Sequence, residues 1–216
     1  MSIFDTKPSP DANIAVLDAG MKQVSWTTSE ALHGTQRNRW KNWYCSAGER
    51  ALYIDFDGNL FVGTCRVGGW FGNIFMQNPD TPFKMWVKCT VETCQCGSDM
   101  KVPKVKYAEL LPESPSALYQ KVEASGAAVA SDVSEPVFIA GESVKDYKMI
   151  TWDIGRRCNY SCSYCFPDSH NNFETPKSLG SLKHAVDFLR RHWSKGSKMK
   201  FVIAGGEPTV IPHYLE

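Results

Sequence analysis

The chain has 216 residues, 43% hydrophobic and 22% charged, the balance of a globular protein with room for one large domain or two small ones. Its 24 basic and 23 acidic side chains leave a net charge of +1, which gives no electrostatic case for nucleic acid or an anionic membrane. No apolar run reaches the length of a membrane span and residues 1–8 lack the apolar core of a secretory signal, so a cytoplasmic, reducing setting is expected.

In chain order, residues 1–13 are rich in Pro, Asp and Ser and read as a loose terminus. Residues 13–17 read as a short strand. Residues 30–43 carry Arg37, Arg39 and Lys41 beside Trp40 and Trp43. That mixture can bind nucleic acid, but it reads better as a helix face whose long basic side chains cover a core. Asp57-Gly58-Asn59 joins two β-forming runs, 51–56 and 60–62, and predicts a hairpin. Cys45 precedes the hairpin and Cys65 follows it, so the fold can bring both to one end. Gly68, Gly69 and Gly72 permit sharp turns, and Cys89, Cys94 and Cys96 close the segment.

Ser114 and Pro115 predict the start of a short helix that runs to Ala124 and ends at Gly126. Residues 127–136 have linker composition, and 137–140 read as a strand. Residues 149–154 form a mostly apolar strand, broken only by Thr151 and Asp153, which suits a sheet buried on both faces. Leu179, Leu182, Ala185, Val186, Leu189 and Trp193 recur at helical spacing, with Ser178 as cap and Gly196 as stop. His184 and His192 on that helix read as surface or partly packed side chains. A second strand, 199–204, delivers Gly205-Gly206-Glu207-Pro208.

The eight cysteines fall into two groups, which in an intracellular chain favours metal ligation over disulfides. Cys158, Cys162 and Cys165 form a C-x3-C-x2-C array just after a strand. Three thiolates can hold three corners of a [4Fe–4S] cluster and leave one iron open. The competing reading is a zinc knuckle completed by His170.

The cysteine array, with the aromatic Tyr164 before its last member, and the Gly-Gly-Glu turn after the next strand together resemble the radical S-adenosylmethionine (radical SAM) enzymes. The resemblance implies that the open iron chelates SAM, that Gly205, Gly206 and Glu207 hold its methionine amino end, and that Tyr164 lies toward the adenine. It implies reductive cleavage of SAM to a 5′-deoxyadenosyl radical that abstracts hydrogen from a substrate, a peptide or protein in this reading, with a small molecule such as a sugar or a cofactor precursor as the alternative. No separate catalytic side chain is assigned, and an electron donor such as flavodoxin or ferredoxin is implied.

Residues 1–105 are similar to the SPASM or twitch auxiliary-cluster domains of such enzymes. The similarity lies in Cys45-Ser46-Ala47-Gly48, the Ile54–Gly58 turn, Cys65, Gly72-Asn73-Ile74 and the late cysteines. It implies a second cluster, or zinc, on a set drawn from Cys45, Cys65, Cys89, Cys94 and Cys96, one more thiol than four-thiolate ligation needs. The segment precedes the radical SAM motif, whereas such domains usually follow it.

The expected fold is therefore α/β: the start of a radical SAM partial (β/α)6 TIM-like barrel over residues 148–216, cut short at its C-terminus. A small cysteine-rich α+β domain with a β-hairpin precedes it over 1–105, and 106–147 form a linker. The rival reading is a non-catalytic zinc or iron–sulfur module that recognises a partner.

Overall fold

A computed structural model describes residues 11–18, 23–76, 83, 86–111, 128–129, 136–141, 146–160, 162–163 and 171–211. The helix expected over 114–126 lies outside them. The described elements form two sheets. The first contains β1 (Ile14–Leu17), β2 (Gln23–Thr27), β3 (Tyr44–Cys45), β6 (Val87–Lys88), β7 (Lys104–Val105), β8 (Ala128–Val129) and β9 (Phe138–Gly141), in the order β6-β3-β7-β9-β1-β2-β8. The second contains β4 (Ala51–Ile54), β5 (Leu60–Phe61), β10 (Tyr147–Asp153) and β11 (Lys198–Ala204), in the order β11-β10-β4-β5.

The first sheet is buried on both faces at its centre. Alternation along β1 sends Ala15 and Leu17 into one core with Val105, Phe138 and Ala140, while Ile14 and Val16 join Ile139, Leu32, Trp40 and Met100 in another. Two small helices flank it, α1 (Ser29–Gly34) and α2 (Gly97–Lys101). The helix face expected through residue 43 stops at Gly34. Trp40 and Trp43 then enter the core from irregular chain, because burying two indoles outweighs continuing a weakly periodic helix.

The second sheet positions the site. The expected hairpin is there, with Tyr53 opposite Phe61 and Ile54 opposite Leu60. Asp55 Oδ1 accepts from the Asp57 and Asn59 amides at 3.0 and 2.8 Å, and Gly58 takes φ 89. β10 pairs in parallel with β11 on one side and with β4 on the other. Leu52, Ile54, Ile150 and Trp152 face the helix α3 (Leu179–Phe188) and its π-helical extension, Leu189–Ser194, and pack on Ala185, Phe188, Leu189 and Trp193. Ser178 caps α3 as expected, its Oγ accepting from the Ser181 amide at 3.1 Å.

The expected barrel opening is not what the chain forms. Among the described residues the chain is mostly β, and its α-helices are three, of 6, 5 and 10 residues. The β10–α3–β11 crossover is present, but the other flank of β10 is taken by β4, which continues antiparallel into β5. β4, from the segment expected as an auxiliary domain, thus shares a sheet with β10 and β11 of the C-terminal segment. Among the described residues no helix is long and apolar enough to cross a membrane.

Candidate functional site: a glycine turn, a cysteine loop and a shared cavity

β10 and β11 run parallel with Asp153 opposite Ala204, so the chain leaves both strands at the same edge. Hydrogen bonding continues past the strands. Ile154 N donates to Ala204 O at 3.1 Å, Gly206 N to Gly155 O at 2.9 Å and Glu207 N to Arg157 O at 2.9 Å. The Gly-Gly-Glu turn is thereby laced to the residues immediately before Cys158. Only glycine allows this approach. Gly205 has φ 117, and a Cβ there would overlap the Gly155 carbonyl oxygen. A Cβ on Gly206 would overlap the Arg157 carbonyl oxygen.

The base of the cysteine loop is closed by its returning strand of chain. Asn171 N donates to Arg156 O at 3.1 Å, and the Cys158 amide donates to Asn172 Oδ1 at 3.2 Å. The Arg156 amide donates to Glu174 Oε2. Cys158 Sγ accepts from the Tyr160 amide at 3.4 Å, the kind of bond that steadies a thiolate. Cys158 and Cys162 are half-buried free thiols. Cys165, Tyr164 and His170 lie outside the described residues. Glu207 turns its carboxylate to the Thr209 amide and hydroxyl, at 3.1 and 2.8 Å. Those two donors hold its pKa below the ordinary value, so a negative charge stands at the turn.

The N-terminal thiols gather around a different feature. Cys45 ends β3, Cys89 follows β6, Cys94 and Cys96 precede α2, and Cys65 follows the hairpin. Near them lie Asp99, a buried acid whose pKa burial raises and which accepts from Thr64 Oγ1 at 2.5 Å, and the buried Lys104. Lys104 Nζ donates to the Asp99 and Val102 carbonyls at 2.5 and 2.8 Å and sits 4.6 Å from the centre of the Trp40 ring. Burial raises the pKa of Cys45, Cys65 and Cys94. Cys65 reaches about 12, with the charge of Asp99 the next cause. Among the described residues no three His, Cys, Asp or Glu side chains stand close enough to hold one metal ion. Cys45, Cys65, Cys89 and Cys94 nonetheless lie near enough to act on one another electrostatically.

A cavity of about 860 Å³ joins the two features. Gly155, Arg156, Ala204 and Gly205 wall one side, and Cys65, Arg66, Cys96 and Asp99 wall another. Across its floor Tyr53 Oη donates to Asp153 Oδ2 at 2.5 Å. Burial, and then the Asp153 bond, raise the Tyr53 pKa to about 12, and burial raises that of Asp153. Sequence reasoning missed Tyr53, Arg66, Asp99 and Arg156. The available signal was the break at Thr151 and Asp153 in an apolar strand, since both side chains face this cavity. Compared with protein-family models, curated proteins and solved structures, the chain has no match.

Proposed function

We propose that the chain is a radical SAM iron–sulfur enzyme whose cluster is held by Cys158, Cys162 and Cys165. One observation carries the reading. The Gly205-Gly206-Glu207 turn, forty or more residues from the cysteines in sequence, is hydrogen-bonded to the backbone that leads into Cys158. The donor set also fits: three thiols within eight residues, on a loop closed by Asn171, Asn172 and Glu174, with an amide already bonded to one sulfur.

When bound, a [4Fe–4S] cluster with SAM supplies a 5′-deoxyadenosyl radical that takes a hydrogen atom from substrate. The chain's own residues do the rest. Glu207 offers a carboxylate to the cofactor's ammonium group. The two glycines keep that turn flush against the cysteine loop. The cavity gives the reacting atoms a shielded place, with the substrate read as a peptide or protein. A second cluster, or zinc, on a set drawn from Cys45, Cys65, Cys89, Cys94 and Cys96 remains part of the proposal, supported by the mutual electrostatic effects of Cys45, Cys65, Cys89 and Cys94.

Anaerobic reconstitution with iron and sulfide tests the reading. The expected product is brown, with at least about four irons per chain, and Cys162→Ala removes about four of them while leaving any metal on the N-terminal thiols. A colourless protein that takes up zinc in place of iron would overturn it in favour of a zinc module that recognises a partner.

A further inference from the structure

Among the described residues that line the cavity are two arginines: Arg66, which acts on Asp153 across Tyr53, and Arg156, which only Glu174 approaches. Arg66 keeps its backbone at φ 54, in the left-handed region that side chains disfavour and glycine enters freely. Strain of this kind at a cavity wall points to a use for the side chain. The Arg66 guanidinium lies 4.9 Å from the centre of the Phe61 ring and 5.3 Å from that of Tyr53. Its hydrogen bond to Tyr53 Oη is long, 3.4 Å, and among the described residues no carboxylate comes within ion-pair distance of it. Arg156 lies 4.1 Å over the Phe56 ring. Its Nε is buried without a hydrogen-bond partner, and Glu174 reaches it only at 3.9 Å. The acids of the cavity are already engaged, Asp153 with Tyr53 and Asp99 with Thr64.

We propose that Arg66 and Arg156 form a clamp in this cavity for the carboxylate of an acidic peptide segment. This rests on the peptide-substrate reading above and names the feature that the substrate must carry. Both guanidinium groups lie over rings, and a guanidinium that stacks on a ring keeps its N–H edge for a planar oxyanion. A carboxylate suits the site better than phosphate, because Asp99 and Asp153 line the same walls and repel a dianion more strongly.

The test needs neither cluster nor SAM. The full chain is titrated calorimetrically with a capped five-residue peptide bearing a central glutamate, and with its glutamine counterpart. The glutamate peptide is expected to bind about tenfold to a hundredfold tighter. Arg66→Gln removes the preference, while Arg39→Gln, an exposed arginine bonded to Gln36, keeps it. Arg66→Gly relieves the backbone, so it keeps the thermal midpoint and still loses the preference. Equal binding of the two peptides, or a preference that survives Arg66→Gln, overturns the clamp. Displacement of the peptide by inorganic phosphate at lower concentration overturns the choice of carboxylate, and displacement by SAM reassigns the arginines to the cofactor. Failure of SAM cleavage with the peptide preference intact removes the radical reading alone.

Discussion

At Gly206 there is no room for a side chain. The smallest addition, Gly206→Ala, places a methyl group on the Arg157 carbonyl and must push the turn away from the cysteine loop. The expected cost is about 1–3 kcal/mol, read by urea unfolding, together with weakened retention of iron. The Tyr53–Asp153 pair is a second residue-scale test. Tyr53→Phe removes one partner of a half-buried bond and is expected to cost about 1 kcal/mol. The folded pKa of Asp153 lies above its unfolded value near 3.8, so folding takes up a proton between the two. The stability that this protonation contributes is present below pH 3.8 and is lost as pH rises through the raised value. Asp153→Asn should therefore gain on the wild type as pH rises through that acid window, in paired denaturation curves. At this scale the sequence showed the cysteines and glycines, whose spacing is local. It did not show Arg66 or Tyr53, whose meaning depends on which strand lies beside β10.

The element that ties the site together is the β10–α3–β11 unit. Its π-helical end carries Trp193, fully buried, whose Nε1 donates to Gly48 O at 2.6 Å, and whose carbonyl accepts from Lys148 Nζ at 2.8 Å. Trp193 thus joins the helix, β10 and the turn before β4, its indole bonding the turn and its backbone carbonyl bonding Lys148. Trp193→Ala is expected to cost about 3–5 kcal/mol, checked by the urea midpoint at unchanged slope. This unit was legible because ten or more residues of 3.6 periodicity, with a cap and a stop, leave little ambiguity. The hairpin was legible from its Asp-Gly turn. β3, β6 and β7 were not, since two-residue strands carry no period and exist only through their partners.

For the whole molecule, the order β11-β10-β4-β5 makes the C-terminal segment depend on the N-terminal one. A fragment of residues 142–216 lacks β4 and should show no cooperative thermal transition by circular dichroism, whereas the full chain should. A sharply melting fragment would show that β10 does not need its neighbour. The same pairing explains why the barrel expectation failed. The strand, helix and strand in sequence looked like the first unit of a series, but the second flank of β10 was filled from a hundred residues earlier, a long-range choice that no local pattern encodes.

The most direct test of the radical SAM reading is product formation. The anaerobically reconstituted full chain is incubated with SAM and dithionite, and 5′-deoxyadenosine is measured by chromatography. The expected result is 5′-deoxyadenosine from the wild type, at least tenfold less from Gly206→Ala, and none from Cys162→Ala. An iron-loaded wild type that leaves SAM intact, or a Gly206→Ala variant that cleaves it as well as the wild type does, would contradict the account.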